Sequence, residues 1–297
     1  MQVIGRMGPI FQGVTARLLE AGAVVVAPSL NKAGLEELQN SLGQPAGLLT
    51  VKGTLSHKDG AKELIDMVKY DVGKLHGVVA HGGLDGVYHN EKSIIERDIL
   101  ATRTEDILDE LAHVVGNHHH AARVLMPLLD EIAEATPALP SFTLLTGGME
   151  DGNRQHFGAE SPVISAMHGL GLALRSSAVT SKVRVNEIRV GMHVNRSDSE
   201  RMKNPRMRPL SSDLGRLCSY IAESPVDRGR KICVSTNDNL EEVLASYDAF
   251  PNSFKIHPPP RRDPAGKSKK WLMHPRSESD RQRKTLGAWD VNFWGKR

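Results

Sequence analysis

Residues able to carry chemistry are sparse in this chain of 297 residues, and their spacing argues against several reactions at once. The densest group of metal-ligand types is His118-His119-His120. Consecutive helix side chains point about 100° apart, whereas pairs that converge on one ion sit four residues apart, so the run predicts no metal site. Proton transfer near neutral pH needs a side chain whose acidity is tuned toward that range, a histidine or a phenol or ammonium shifted by its surroundings among the candidates. The tyrosines are Tyr70, Tyr88, Tyr220 and Tyr247, and the stretch between Gly147 and Ser181 holds neither tyrosine nor lysine. The acid–base groups left in or near that stretch are His156 and His168, with His81 earlier in the chain and Thr146 as a neutral hydroxyl. Phosphate cradling needs glycines between a strand and a helix, so that bare backbone N–H groups reach the anion. Gly5, Gly8 and Gly13 lie in such a place, but Pro9 and Phe11 stand among them. Proline has no N–H to donate, and the phenylalanine side chain takes volume that only glycine leaves free.

The elements that must position these residues alternate between strand and helix. Short apolar runs predict strands at Met1–Gly5, Ala23–Ala27, Leu48–Val51, Gly77–Ala80, Phe142–Leu145, Val183–Ile188 and Lys231–Ser235. The fully apolar Ala23–Ala27 is what a parallel strand covered on both faces requires. Helical spacing predicts helices over Gln12–Ala21, Lys32–Leu42 (ending at Gly43), Lys58–Val72, Thr104–Leu129, residues 163–180 and Ser212–Glu223, with a last helical turn at Glu241–Tyr247. Met149–Ser161 and Asn195–Pro209 read as polar connections. The alternation implies an α/β fold with a doubly wound parallel sheet.

Composition divides the chain near residue 250. Pro251–Arg297 carries 12 lysines and arginines against 4 aspartates and glutamates, a net of +8; the whole chain carries +3, so residues 1–250 carry −5. All three tryptophans, Trp271, Trp289 and Trp294, lie in that last stretch with six prolines, and Pro258–Pro260 favours an extended path. The expected organisation is a Rossmann-like domain over residues 1–240 and a basic, tryptophan- and proline-containing extension over 241–297. Cys218 and Cys233 suit a reducing intracellular compartment and form no disulfide framework. No apolar run approaches the ~18 residues of a membrane span. No targeting segment is visible, and an organellar location stays open should a leader have been removed.

Val183-Arg184-Val185-Asn186-Glu187-Ile188, followed by Val190 and Gly191, resembles the VRVN-x-I-x-P-G strand of the short-chain dehydrogenase/reductase family. The Leu18–Ala23 segment LLEAGA and the spacing of the seven strands agree with that resemblance, which covers residues 1–236. It implies a doubly wound sheet of that family's type, and it implies which positions should be catalytic. The family's Asn falls at Val114, its Ser at Thr146 or Gly147, its Tyr at Val163 and its Lys at Met167. The glycines of its dinucleotide turn fall at Gly5, Pro9 and Phe11, with Gly8 beside them, and its Asn-Asn-Ala-Gly falls at Ala80-His81-Gly82-Gly83. Ala27-Pro28-Ser29 lacks the charged residue that reads the ribose, with Asn31 and Lys32 the nearest substitutes, and Thr54 stands where the family has Asp. His168 follows the missing Lys and is expected to point off the cleft, while His81 fills it. No catalytic residue, cofactor or metal is therefore expected.

The resulting expectation is a non-catalytic accessory or scaffold subunit of a larger protein assembly. It would dock through a tail whose anchors are Arg261, Arg262, Lys269, Lys270, Trp271, Trp289, Phe293 and Trp294, since tryptophan and arginine dominate interface energies. The resemblance also implies a dimer-type contact through residues 104–129 and 163–180. Two alternatives remain open: a divergent NAD(P)-dependent oxidoreductase using Thr146 and a histidine, and an RNA-associated subunit whose basic tail contacts phosphates and stacks on bases.

Overall fold

The computed structural model describes residues 1–5, 8–29, 31–53, 65–66, 68–69, 73–81, 98–135, 139–147, 159–191, 194 and 210–249. The chain forms two compact units, Met1–Pro258 and Pro259–Arg297. Outside the described residues lie all eight tail anchors named above, Gly82, Thr54, Tyr70, Tyr88 and His156, with most of the expected helix Lys58–Val72 and of the two polar connections.

Seven strands and seven helices are described. They follow the chain as β1 (Gln2–Ile4), α1 (Pro9–Glu20), β2 (Val25–Ser29), α2 (Lys32–Ser41), β3 (Leu48–Lys52), β4 (Gly77–His81), α3 (Thr104–Leu111), a π-helical turn (Ala112–Gly116), α4 (Asn117–Ala135), β5 (Ser141–Gly147), α5 (Ser161–Ser177), β6 (Arg184–Val190), α6 (Ser211–Glu223), β7 (Lys231–Val234) and α7 (Asn237–Asp248). All strand pairs are parallel, in the order β3-β2-β1-β4-β5-β6-β7. The order reverses between β1 and β4, which opens a crevice beyond the strands' carboxyl ends, where open α/β sheets take their ligands.

Each face of the sheet is closed by its own apolar core. Val78, Ala80, Phe142, Leu144 and Val185 pack with residues of α4 and α5. Val3, Val79, Leu145 and Ile188 pack with residues of α1, α6 and α7. The period of two along each strand sorts side chains between these faces.

Several expected boundaries are corrected. Helix α1 starts at Pro9 rather than Gln12, because proline suits the first helical position after an extended Gly8. The single helix expected over Thr104–Leu129 is three pieces, interrupted by the π-helical turn and continuing to Ala135. The last helical turn expected at Glu241–Tyr247 is a twelve-residue helix that begins at Asn237, spans residue 240 and is capped by the Thr236 hydroxyl accepting from the Asn239 N–H at 3.1 Å.

The motif strand is a structural clamp. Arg184, fully buried on the α6 side, donates from Nη1 to the carbonyls of Ile221 (2.7 Å) and Ser224 (2.5 Å), from Nη2 to Ala222 (2.7 Å) and from Nε to Leu139 (3.0 Å). One guanidinium thus satisfies carbonyls at the end of α6, where a helix leaves them without partners. Asn186 donates from Nδ2 to the Asp227 carbonyl and accepts the Arg230 N–H, each at 3.0 Å, which ties the loop before β7 to β6.

Helices α1 and α6 touch backbone to backbone. A Cβ on Gly13 would collide with the Ser211 carbonyl, and one on Gly215 with the Gly13 carbonyl. Gly13→Ala is expected to destabilise the domain by roughly 2 kcal/mol, since neither backbone can withdraw. Chemical unfolding checks this, and a loss under about 0.5 kcal/mol would mean the two helices separate freely.

Candidate functional site

At the crevice the residues that would face a dinucleotide are committed elsewhere. Gly5 has φ +139°, and a Cβ there would lie 2.5 Å from the His81 carbonyl oxygen and 2.8 Å from the His81 Cβ. The chain's own β4 therefore requires this glycine, whether or not a phosphate visits. Pro9 occupies the first turn of α1 without an N–H. Phe11 does not project into the crevice; it is fully buried in the core between α1 and the sheet. At the end of β2, Ser29 Oγ accepts from the Asn31 N–H (3.1 Å), and Asn31 Oδ1 caps α2 by accepting from the Gly34 N–H (3.1 Å). Lys32 faces Glu36 at 3.5 Å. Asn31 is thus engaged in the cap of α2 and Lys32 lies in an exposed pair with Glu36, and among the described residues Pro9 offers no N–H and Phe11 no open volume to a dinucleotide held in the family's manner.

The residues matched to the catalytic set are apolar and enclosed. Val114 in the π-helical turn and Val163 and Met167 on α5 are buried, and they share one contiguous cluster with Ala80. Three elements bring them together, and none of these side chains can give or take a proton. Thr146 keeps its hydroxyl but turns it inward, donating to Glu187 Oε1 at 3.2 Å.

His168 corrects an expectation. It does not turn away from the strand ends: its Nε2 is bonded to the Gly147 carbonyl at 2.7 Å, at the carboxyl end of β5. The preceding position, Met167, lies in the apolar cluster with Val114 of the π-helical turn, and one residue of helical rotation carries His168 over β5.

His81, at the end of β4, is pushed down to about 4 by burial and by the neighbouring His118. Burial also holds His118 below the usual imidazole range, against the opposing pull of the Val114 carbonyl it is bonded to and of the nearby His81 backbone. Among the described residues no cluster of three or more ligand-type side chains could hold a metal ion.

One buried network escapes sequence reasoning. Glu187 on β6 is fully enclosed and ion-paired to Arg175 of α5 and, at 2.8 Å, to Arg189 two residues along its own strand. Gly171 makes room, since a Cβ there would sit 3.0 Å from the Glu187 carboxyl carbon. The available signal is a glutamate and an arginine at i and i+2 in the strand, both on the face that Val185 marks as covered.

No protein-family model matches the chain, and no curated protein matches it significantly. Solved structures do. A 3-ketoacyl-(acyl-carrier-protein) reductase from Brucella melitensis, complexed with NADH, superposes with a TM-score of 0.65 at 16% identity, covering 78% of this chain and 95% of that one. An apo short chain oxidoreductase from Pseudomonas aeruginosa PAO1, containing an atypical catalytic center, gives 0.66 at 18% identity over 80% and 95%. A short-chain dehydrogenase/reductase of the glucose/ribitol dehydrogenase type from Brucella melitensis gives 0.60 at 20% over 78% and 93%. Such identities speak of architecture, and on that ground this seven-stranded parallel sheet with its flanking helices has the short-chain dehydrogenase/reductase fold.

Proposed function

We propose that the protein is a non-catalytic member of this fold, serving as an accessory subunit of a larger protein assembly. The observation that carries the reading is the single apolar cluster formed by Val114, Val163 and Met167, where proton transfer would require polar groups. Calorimetric titration of the full chain with NADH and with NADPH tests it. The expected result is no heat of binding at millimolar cofactor from folded protein; a dissociation constant in the micromolar range would overturn it.

A second reading, a divergent NAD(P)-dependent oxidoreductase, is favoured by His168 at the end of β5 and by the likeness to an oxidoreductase with an atypical catalytic center. Micromolar cofactor binding would establish it as the better reading, with His168 and Thr146 as the first residues to replace.

The tail is assigned to a protein partner, because it holds every tryptophan of the chain among basic residues. A steep loss of affinity with salt would instead indicate phosphate contacts and RNA. The subunit contact is assigned to the outer faces of α3 and α5. Leu172 is 60% exposed and Leu108 58% exposed, and Gly169 stands one helical turn from Leu172 facing open space. Glycine inside a helix costs about 1 kcal/mol relative to alanine, and nothing among the described residues requires it at 169. Gly169→Ala is expected to stabilise the isolated chain by roughly 0.5–1 kcal/mol while weakening self- or partner association in sedimentation. Stabilisation with association unchanged would remove this face from the contact.

A further inference from the structure

We propose that His81 and His118 form a proton-operated latch at the carboxyl end of β4, which holds the π-helical turn against the sheet while both rings are neutral and releases it on acidification. A π-helical turn breaks the regular ladder and recurs where a helix must yield. Here it lies at Ala112–Gly116, and His118 Nδ1 donates to the Val114 carbonyl at 2.6 Å, so the imidazole ring closes a carbonyl of that turn. The other ring nitrogen, Nε2, rests against the His81 backbone, buried and without a hydrogen-bond partner among the described residues. His81 Nδ1 is buried and unpartnered in the same sense. On the other side the His81 backbone packs against Gly5, just past β1, where there is no room for a side chain. The His118 ring therefore links the π-helical turn to the backbone of His81, and the His81 ring lies buried beside it at the end of β4.

What faces the pair decides how it responds to protons. From β1 come Ile4 and Gly5, and from β5 come Leu145, paired in register with His81, and Thr146, whose hydroxyl is given to Glu187. From α5 come the apolar Val163 and Met167. On the same helical run stand His113, His119 and His120, the last with a buried, unpartnered Nε2. The buried carboxylates of the flanking elements, Glu110 on α3 and Glu160 before α5, are engaged in interactions of their own. Among the described residues the charged group acting on His81 is His118, which repels a proton. A proton taken up here meets burial and a second histidine, with no described carboxylate to compensate it.

The direction follows from linkage. His81 binds its proton near pH 4 in the closed form and near its ordinary 6.5 once the ring reaches water. Between those values the open form binds more protons, so the closed form is favoured fully above about pH 6.5 and loses that advantage as pH falls toward 4. For His81 alone, opening becomes about 70-fold more favourable between roughly pH 7.5 and roughly pH 4.5. Charging His118 as well adds repulsion in the same sense, opposed by the Val114 carbonyl and the His81 backbone beside its ring.

Hydrogen–deuterium exchange of the full chain at those two pH values, corrected for intrinsic rates, tests the latch. Peptides covering residues 77–81 and 112–121 should gain about 70-fold in exchange, while β6 and the α1–α6 face keep their protection. In the His81→Gln/His118→Gln double variant that pH-dependent gain should disappear. A uniform rise across all peptides, or a gain that survives in the double variant, would overturn the proposal. Should the double variant fail to fold, a histidine NMR titration of the wild-type chain decides. A His81 titration midpoint below about pH 5 upholds the latch, and one at or above about 6 removes it.

Discussion

Arg184→Leu is expected to lower the unfolding free energy by roughly 4 kcal/mol, which for a domain of this size is a fall in Tm of roughly 8–16 °C. The guanidinium serves five carbonyls: Leu139 before β5, Ile221 and Ala222 in the last turn of α6, Ser224 just beyond it, and Asp227, at 3.4 Å, in the loop before β7. Leucine would leave those acceptors buried without donors, and each orphaned group costs about 1–3 kcal/mol before relaxation. The cation itself is costly to bury; burial pulls Arg184 down to about 10, partly opposed by the nearby Asp227. That cost makes the carbonyl cage the reason the residue is tolerated. Arg184→Lys should recover little, because one ammonium cannot span acceptors on both sides of the planar fork. Thermal and chemical unfolding of both variants read the effect directly. A loss below about 1 kcal/mol for leucine would show that water replaces the guanidinium and that the motif arginine is dispensable.

Glu187→Gln is the second large effect, an expected loss of about 3–5 kcal/mol. Glu187 is wholly buried, and its partners Arg175 and Arg189 have side chains only 11% and 10% exposed. The amide would keep one acceptor for the Thr146 hydroxyl but remove the carboxylate charge that Arg175 and Arg189 share. Removing one member of a buried ion network costs far more than the network contributes, so the reverse experiment is informative. Combining Glu187→Leu with Arg175→Met and Arg189→Met should recover most of the loss, since all three sites become apolar together. If the single substitution proves neutral, or the triple is no better than the single, the network is not a closed electrostatic unit. Gly171 bears on the same point, because its missing Cβ is what allows α5 to close over the carboxylate.

Much of the candidate site is legible in the sequence. The absence of tyrosine and lysine between Gly147 and Ser181 is a matter of composition, and no packing can reverse it. Pro9 has no N–H in any conformation, and Val114, Val163 and Met167 carry no proton wherever they lie. Phe11 and His168 are less legible. By position Phe11 competes with a phosphate for volume, but the helix begins three residues earlier than its apolar spacing suggests and turns the ring into the core. By its neighbour Met167, His168 should leave the cleft, yet one residue of helical rotation carries it over β5 instead.

Parallel strands are covered on both faces, so their apolar runs, the intervening helical periods and the VRVN-x-I segment identify the α/β architecture from the sequence alone. The alternation along β6 also shows that Val185, Glu187 and Arg189 share a face, while Arg184 and Asn186 share the other. Which element lies over each face is not a local property. It depends on where α5 and α6 dock, and docking is settled by apolar burial summed over both cores, together with the close backbone approach at Gly13 and Gly215. Only that docking makes Arg184 a helix clamp, pairs Glu187 with an arginine twelve positions away, and sets His118 of α4 against the backbone of His81.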